Sequence, residues 1–112
     1  MQVRLTTTGR QTGVPRTVTL YAFETPEGAL VITASRGGSA RNPAWVHNLR
    51  AEPRATVKVG GEERSVVARE VAGSERNRLW AVVAEAFPLY TTYQRRTTRL
   101  IPLFVLEDET RS

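Results

Sequence analysis

Apolar and polar residues alternate at the start of the chain, with Val3, Leu5 and Thr7 standing between Arg4, Thr6 and Thr8. A period of two predicts a strand with one buried face. Thr17–Phe23 (TVTLYAF), rich in β-branched and aromatic residues, predicts a second strand. Gly9, Gly13 and Pro15 interrupt the pattern between them and predict a solvent-facing turn, so the two strands form a hairpin. After a turn at Thr25–Gly28, the run Ala29–Ala34 (ALVITA) is continuously apolar, as in a strand covered on both faces. Ala55–Val59 alternates again, and Glu62–Val71 returns from a Gly60-Gly61 turn, with a bulge expected where Val66 and Val67 adjoin. Arg99–Leu106 (RLIPLFVL) is the last predicted strand, and Pro102 is expected to place it at an edge or a bulge.

The period changes in between. Asn42-Pro43 predicts a helix start, with Asn42 as the cap and Pro43 at the first helical position. That helix is expected over Ala44–Arg50, ended by Pro53, with Trp45 and Leu49 on one face. Gly73-Ser74 opens a second helix with Ser74 as its cap and Leu79, Trp80, Val83 and Phe87 as its buried stripe. Pro88 interrupts it, Leu89–Thr98 predicts a further short helix, and Glu107–Ser112 reads as a polar, frayed tail. The expected order is β-β-β-α-β-β-α-α-β. This is an α+β fold, mainly β, in which six mostly antiparallel strands shield their apolar faces by curling into a small barrel.

Composition narrows the function classes. At 112 residues the chain is expected to be one domain, 1–112, with no linker or repeat. It has no cysteine, which excludes disulfides and thiolate metal sites and suits a cytoplasmic location. Its one histidine, His47, excludes a histidine-rich metal centre. No apolar run reaches the length of a membrane span and Met1 opens no signal-peptide pattern. The net charge is +5 and arginine far outnumbers lysine, which implies an anionic partner. Nucleic acid, a lipid headgroup and a charged cofactor all satisfy that, and peripheral membrane contact stays open.

No serine–histidine–acid pattern, metal triad, Walker loop or dinucleotide fingerprint is present, so an enzyme of this sequence would rely on a bound cofactor. Leu5–Arg16 (LTTTGRQTGVPR) brings Arg10, Thr12 and Arg16 onto one turn with glycine-exposed N–H groups. That is the chemistry of a phosphate cradle, although a plain hairpin carrying arginines explains the local pattern equally well. Ser35–Arg41 (SRGGSAR) adds Arg36, Arg41 and two glycines before a helix start, where a mobile surface loop is the simpler reading. Trp45 reads first as core and His47 as surface. Tyr90 and Tyr93 share a helical face with Phe87, a spacing more common in cores, yet the proline break before them suits the lip of a pocket.

Taken together, LTTTGRQTGVPR, ASRGGSARNPAWVHNL and FPLYTTYQRRTTRLIPLFVLE resemble the deazaflavin-dependent nitroreductase family, related to the split β-barrel flavin reductases, from about Leu5 to Glu107. The resemblance implies a split barrel and an oxidoreductase that passes a hydride from reduced coenzyme F420 to quinone-like, nitroaromatic or other conjugated small molecules. It implies that Arg10, Gln11, Thr12 and Arg16 hold the coenzyme's phosphate. Ser35, Arg36, Gly37, Gly38, Pro43, Trp45 and Asn48 would lie along its ring, and Ser35, Tyr90 and Tyr93 would serve the acceptor side. FMN is the competing cofactor. An F420 carrier without catalysis and a basic barrel for single-stranded nucleic acid are the competing functions; nucleic acid is not expected, because the predicted strands carry few basic residues. Two departures stand out. Gln11 occupies a position where relatives often have lysine, which predicts a weaker phosphate contact. Many relatives also carry a helical segment before the first strand, whereas Met1 here is close to the motif. An open site, a compensating homodimer in place of a monomer, or a shortened chain are the corresponding expectations.

Overall fold

The computed structural model describes residues 1–109. The strands are β1 (Gln2–Thr8), β2 (Pro15–Glu24), β3 (Leu30–Thr33), β4 (Arg54–Val59), β5 (Glu62–Glu70) and β6 (Leu103–Asp108). The helices are α1 (Ala44–Ala51), α2 (Gly73–Ala86) and α3 (Leu89–Arg95), with a 3-10 turn over Arg36–Gly38. The strands close into a six-stranded barrel in the order β1-β2-β3-β6-β5-β4, and every neighbouring pair is antiparallel. The expected element order is the observed one.

The patterning explains the layers. Val3, Leu5 and Thr7 all point inward and are buried. Inside the barrel they meet Ala22, Ile32, Val57, Val66, Phe104 and Leu106. Helix α1 closes this interior by adding Trp45, Val46 and Leu49 to the same cluster. A second cluster lies outside the barrel, where Val31, Leu103 and Val105 of β3 and β6 pack against Leu79 and Val83 of α2 and Tyr90 of α3. Strands β3 and β6 are therefore covered on both faces, which is why ALVITA and PLFVL are apolar throughout. Burial on this scale, about 1.5–3 kcal/mol per large side chain, is the main favourable term holding the barrel closed.

Several local expectations are corrected. Pro43, not Asn42, is the cap residue of α1, because the Asn42 side chain is held elsewhere. Ala72, not Ser74, caps α2, and Gly73 takes a positive φ of 61° at its start. Strand β5 carries no bulge at Val66-Val67: its pairing with β4 and β6 is continuous through both residues, Val66 facing the core and Val67 half exposed. Pro102 marks no edge, since β6 begins after it and lies between β3 and β5. Its carbonyl accepts the Ala34 N–H at 3.0 Å, which links the chain into the barrel without needing a proline donor. Phe87 is exposed beyond the end of α2, and Arg76 takes a place in that helix's buried stripe. The third helix ends at Arg95, short of Thr98. Glu107 and Asp108, expected in a frayed tail, complete β6, and residues 110–112 lie outside the described residues.

Candidate functional site

The β1–β2 connection is built by its own backbone. Gly9 N–H donates to the Val14 carbonyl at 2.9 Å and Gly13 N–H donates to the Gly9 carbonyl at 2.8 Å. Gly13 sits at φ 75°, and a Cβ on Gly9 would lie 2.9 Å from the Val14 carbonyl oxygen. The turn thus needs glycine at both positions for different reasons, conformation at one and space at the other. Val14 N–H donates to Thr12 Oγ1 at 3.2 Å. The N–H groups of Gln11 and Thr12 take no partner among the described residues. Two adjacent unmet donors at the tip of a turn are free to take an acceptor from outside the turn.

Asn48 fixes this turn to α1. It is buried, its Nδ2 donates to Thr7 Oγ1 at 3.0 Å, and its Oδ1 accepts the Arg10 N–H at 3.1 Å. Its side chain thus ties the turn to β1 and α1 through two hydrogen bonds, with one Nδ2 hydrogen left over.

Between the turn, the Arg36 loop and α1 lies a cavity of about 910 Å³. Arg10, Gln11, Thr12 and Arg16 form one wall and Arg36, Arg41, Asn42 and Pro43 the other. Trp45, His47 and Asn48 of α1 form the floor with Thr7 and Val18. Trp45 serves twice: it is buried in the core against Phe104, centroids 5.7 Å apart, and it also lines the cavity. No carboxylate of the described residues lines the cavity. Among the described residues Arg10, Arg16, Arg36 and Arg41 make no ion pair, and the pairs that exist join Arg50 to Glu70, Arg64 to Glu62, and Arg69 to Glu75 and Glu107.

The remaining candidates fall outside the lining. Ser35 is half buried, and its carbonyl accepts the Gly38 N–H. Gly37 lies in the 3-10 turn. Gly38 packs against α3, where a Cβ would come within 2.6 Å of the Tyr93 carbonyl oxygen. Tyr90 is the hub of an aromatic cluster, with ring centroids 5.0 Å from Phe87, 6.1 Å from Phe23 and Tyr93, and 6.3 Å from Trp80. Burial pushes its phenol above the ordinary value and Tyr93 adds to the shift. Thr33 is close enough to oppose it, but its buried Oγ1 completes no hydrogen bond. Tyr93 is half buried beside the Arg96 guanidinium. The structure therefore brings the arginine turn and α1 together around one cavity, and sets the tyrosines behind the Arg36 loop.

The sequence pattern passed over His47 as a surface residue, although it lines the cavity floor. It missed Arg99 altogether. The Arg99 guanidinium donates to the Ser35 and Ser39 carbonyls and to Asn42 Oδ1 at 2.7–2.8 Å, reaching residues 57 to 64 positions away. No local spacing announces a contact over that distance; the only hint is an arginine two residues before the buried run that begins at Ile101.

A cavity lined by cations and open N–H donors, with no acid in it, fits a phosphate-bearing, carboxylate-bearing coenzyme. Comparisons with known proteins agree. Residues 1–108 match the family described as F420H(2)-dependent quinone reductase. An F420H(2)-dependent quinone reductase of Mycobacterium tuberculosis strain H37Rv is 42% identical over 105 residues, covering 91% of this chain and 70% of that protein. A second protein of that strain, described as a putative F420H(2)-dependent quinone reductase, is 33% identical over 84 residues, 75% of this chain and 71% of its own length. Among solved structures, an F420-H2 dependent reductase superposes with a TM-score of 0.84 at 38% identity, covering 95% of this chain and 93% of that one. The heme storage protein HutZ of Vibrio cholerae, at 16% identity and a TM-score of 0.70 over 98% of this chain and 82% of its own, shares the fold alone. The chain belongs to the F420H(2)-dependent quinone reductase family, oxidoreductases whose cofactor is coenzyme F420.

Proposed function

We propose that this protein reduces quinone-like and other conjugated small molecules, nitroaromatics among them as incidental substrates, with the coenzyme seated in the arginine-lined cavity. The observation that carries this reading is that four arginines, Arg10, Arg16, Arg36 and Arg41, line one cavity with no acidic partner among the described residues, whereas Arg50, Arg64 and Arg69 are paired with glutamates. Unpaired cations held together repel each other, so an arrangement of this kind is favourable when an anion completes it.

In this reading Arg10, Arg16 and the open N–H groups of Gln11 and Thr12 hold the phosphate. Asn48 holds their turn in place through Arg10 N–H. Arg36, Gly37, Gly38, Pro43 and Trp45 border the ring. When bound, the deazaflavin supplies hydride chemistry. The protein's part is to orient donor and acceptor and to supply the proton that a quinone needs besides the hydride. Ser35, Tyr90 and Tyr93 are the polar groups on the loop and α3 side. Tyr90 is buried and its pKa is raised, so its phenol stays protonated at neutral pH but is a weaker proton donor than an ordinary phenol, which leaves Ser35 and the half-buried Tyr93 as the better-placed donors.

The test is a fluorescence titration of the protein with F420 and, separately, with FMN, followed by turnover of the reduced coenzyme with menadione. Micromolar binding of F420 over FMN, with coenzyme oxidised faster than without protein, is the expected result. Tighter binding of FMN, or tight F420 binding with no turnover across an acceptor panel, would overturn it. Tyr93→Phe should lower turnover and leave coenzyme affinity in place; unchanged turnover removes Tyr93 from the acceptor side.

A further inference from the structure

The segment Ser35–Asn42 forms one wall of the cavity through Arg36, Arg41 and Asn42. It has no regular structure beyond its 3-10 turn, and its own hydrogen bonds are local: Gly38 N–H to the Ser35 carbonyl, Ser39 N–H to the Arg36 carbonyl, and Ser39 Oγ with the Arg41 backbone. Among the described residues, every hydrogen bond from this segment to the rest of the molecule goes to Arg99. Its Nε donates to the Ser39 carbonyl at 2.7 Å, Nη1 to Asn42 Oδ1 at 2.7 Å and Nη2 to the Ser35 carbonyl at 2.8 Å.

The loop needs such a restraint. Arg36 holds a positive φ of 43°, which L side chains adopt at a cost. Gly38 is pressed against α3 with no room for a Cβ. Arg99 is itself pinned. Its N–H donates to Thr97 Oγ1 at 3.2 Å, and its carbonyl accepts Gln94 Nε2 at 2.8 Å. Gln94 Oε1 in turn accepts the Ile101 N–H at 3.1 Å, and the buried Arg76 donates to the Ile101 carbonyl at 2.7 Å. The restraint on the loop thus traces back to α2 and α3 through fixed contacts.

We propose that Arg99 is a positioning residue for the coenzyme cavity: its guanidinium fork holds Ser35, Ser39 and Asn42 at once, and so presents Arg36 and Arg41 to the bound anion. All of its partners are neutral, and burial and the nearby Arg36 push its pKa below the usual arginine value, so the geometry of the fork and not an ion pair is what holds it. Lysine carries the same charge on a single point and cannot span acceptors on three residues. This separates positioning from charge. The proposal rests on the coenzyme reading above.

Two variants test it, Arg99→Lys and Arg99→Gln. Each is followed by amide exchange of residues 35–42 without coenzyme, by F420 titration and by steady-state turnover with menadione. Both variants are expected to exchange faster in the loop, with the barrel strands unchanged. Both should bind F420 about tenfold more weakly, the scale of one or two lost charge-assisted hydrogen bonds. The loss should appear in KM for the coenzyme with kcat largely kept. Wild-type affinity in Arg99→Lys would show a role in charge alone and overturn the proposal. Unchanged loop exchange, or faster exchange throughout the barrel, would overturn it as well. Wild-type protein that binds no F420 would defeat the coenzyme reading, and the exchange data would still decide whether Arg99 holds the loop.

Discussion

Seven arginines of this protein form two sets that differ in what they face. Arg50, Arg64 and Arg69, on α1 and β5, each reach a glutamate at 2.8–2.9 Å. Hydrogen bonding to that partner is the largest cause raising each of their pKa values. Arg10, Arg16, Arg36 and Arg41 face a cavity that no carboxylate of the described residues lines. One residue type thus serves two ends. At Arg50, Arg64 and Arg69 the charge is matched within the chain, and little is left for a ligand. Around the cavity the charge is left unmatched, and an incoming anion completes it. A net charge of +5 therefore understates the local field at the cavity, because the paired arginines and their glutamates cancel elsewhere.

The largest effect should come from the unmatched side. Arg10→Ala or Arg16→Ala should weaken F420 binding by about 1–3 kcal/mol, the range for a lost charge-assisted contact, and the double variant by more. Thermal unfolding should shift little, since both side chains are exposed, Arg10 on the turn and Arg16 at the start of β2. Coenzyme affinity should fall as salt is raised, and the double variant should show a shallower salt dependence than wild type. Normal binding by both single variants would remove the phosphate from this turn and collapse the division between the two sets.

Asn48→Ala comes next and sharpens the division by separating position from charge. It leaves Thr7 Oγ1 and the Arg10 N–H without their partner in a buried setting, at a cost of about 1–3 kcal/mol in stability. F420 affinity should drop by less than in Arg10→Ala, because every cavity cation is retained. A stable Asn48→Ala protein with intact affinity would show that the turn holds its shape without α1.

The strand patterns were legible because burial in this fold follows local periods. Val3, Leu5 and Thr7 alternate because one face of β1 meets the core, and ALVITA does not alternate because α2 and α3 cover its outer face. The arginine turn was legible as a cluster because its glycines and cations lie within a dozen residues, and the structure places Arg10, Gln11, Thr12 and Arg16 on one cavity. What stayed hidden depends on distance in sequence. Asn42 looked like a helix cap, but Arg99 draws its side chain away. Arg76 is not among the residues expected in the α2 stripe, but it is buried over the Trp80 ring at 4.6 Å and bonds to the Ile101 carbonyl. Tyr90 and Tyr93 share a helix face as expected, yet which part of the fold that face meets is decided by packing on β3 and β6. Each of these depends on a partner that no local spacing specifies.

The smallest effect belongs to the matched side. Arg69 donates to both Glu75 oxygens at 2.8 and 3.0 Å, with Glu107 farther off at 3.4 Å. The hydrogen bond from Arg69 is the largest cause lowering the Glu75 pKa below its ordinary 4.5. A carboxylate that ionises more readily when folded contributes stability above its unfolded pKa, and that contribution is lost as pH falls through the lower, folded value. Because the pair is exposed, the contribution is small. Arg69→Gln should therefore leave F420 affinity unchanged and thermal stability at neutral pH nearly so, while making stability slightly less dependent on pH in the acid range where Glu75 titrates. Should Arg69→Gln weaken coenzyme binding as much as Arg10→Ala does, the site would be responding to the chain's total charge. The pairing of an arginine would then say nothing about its function.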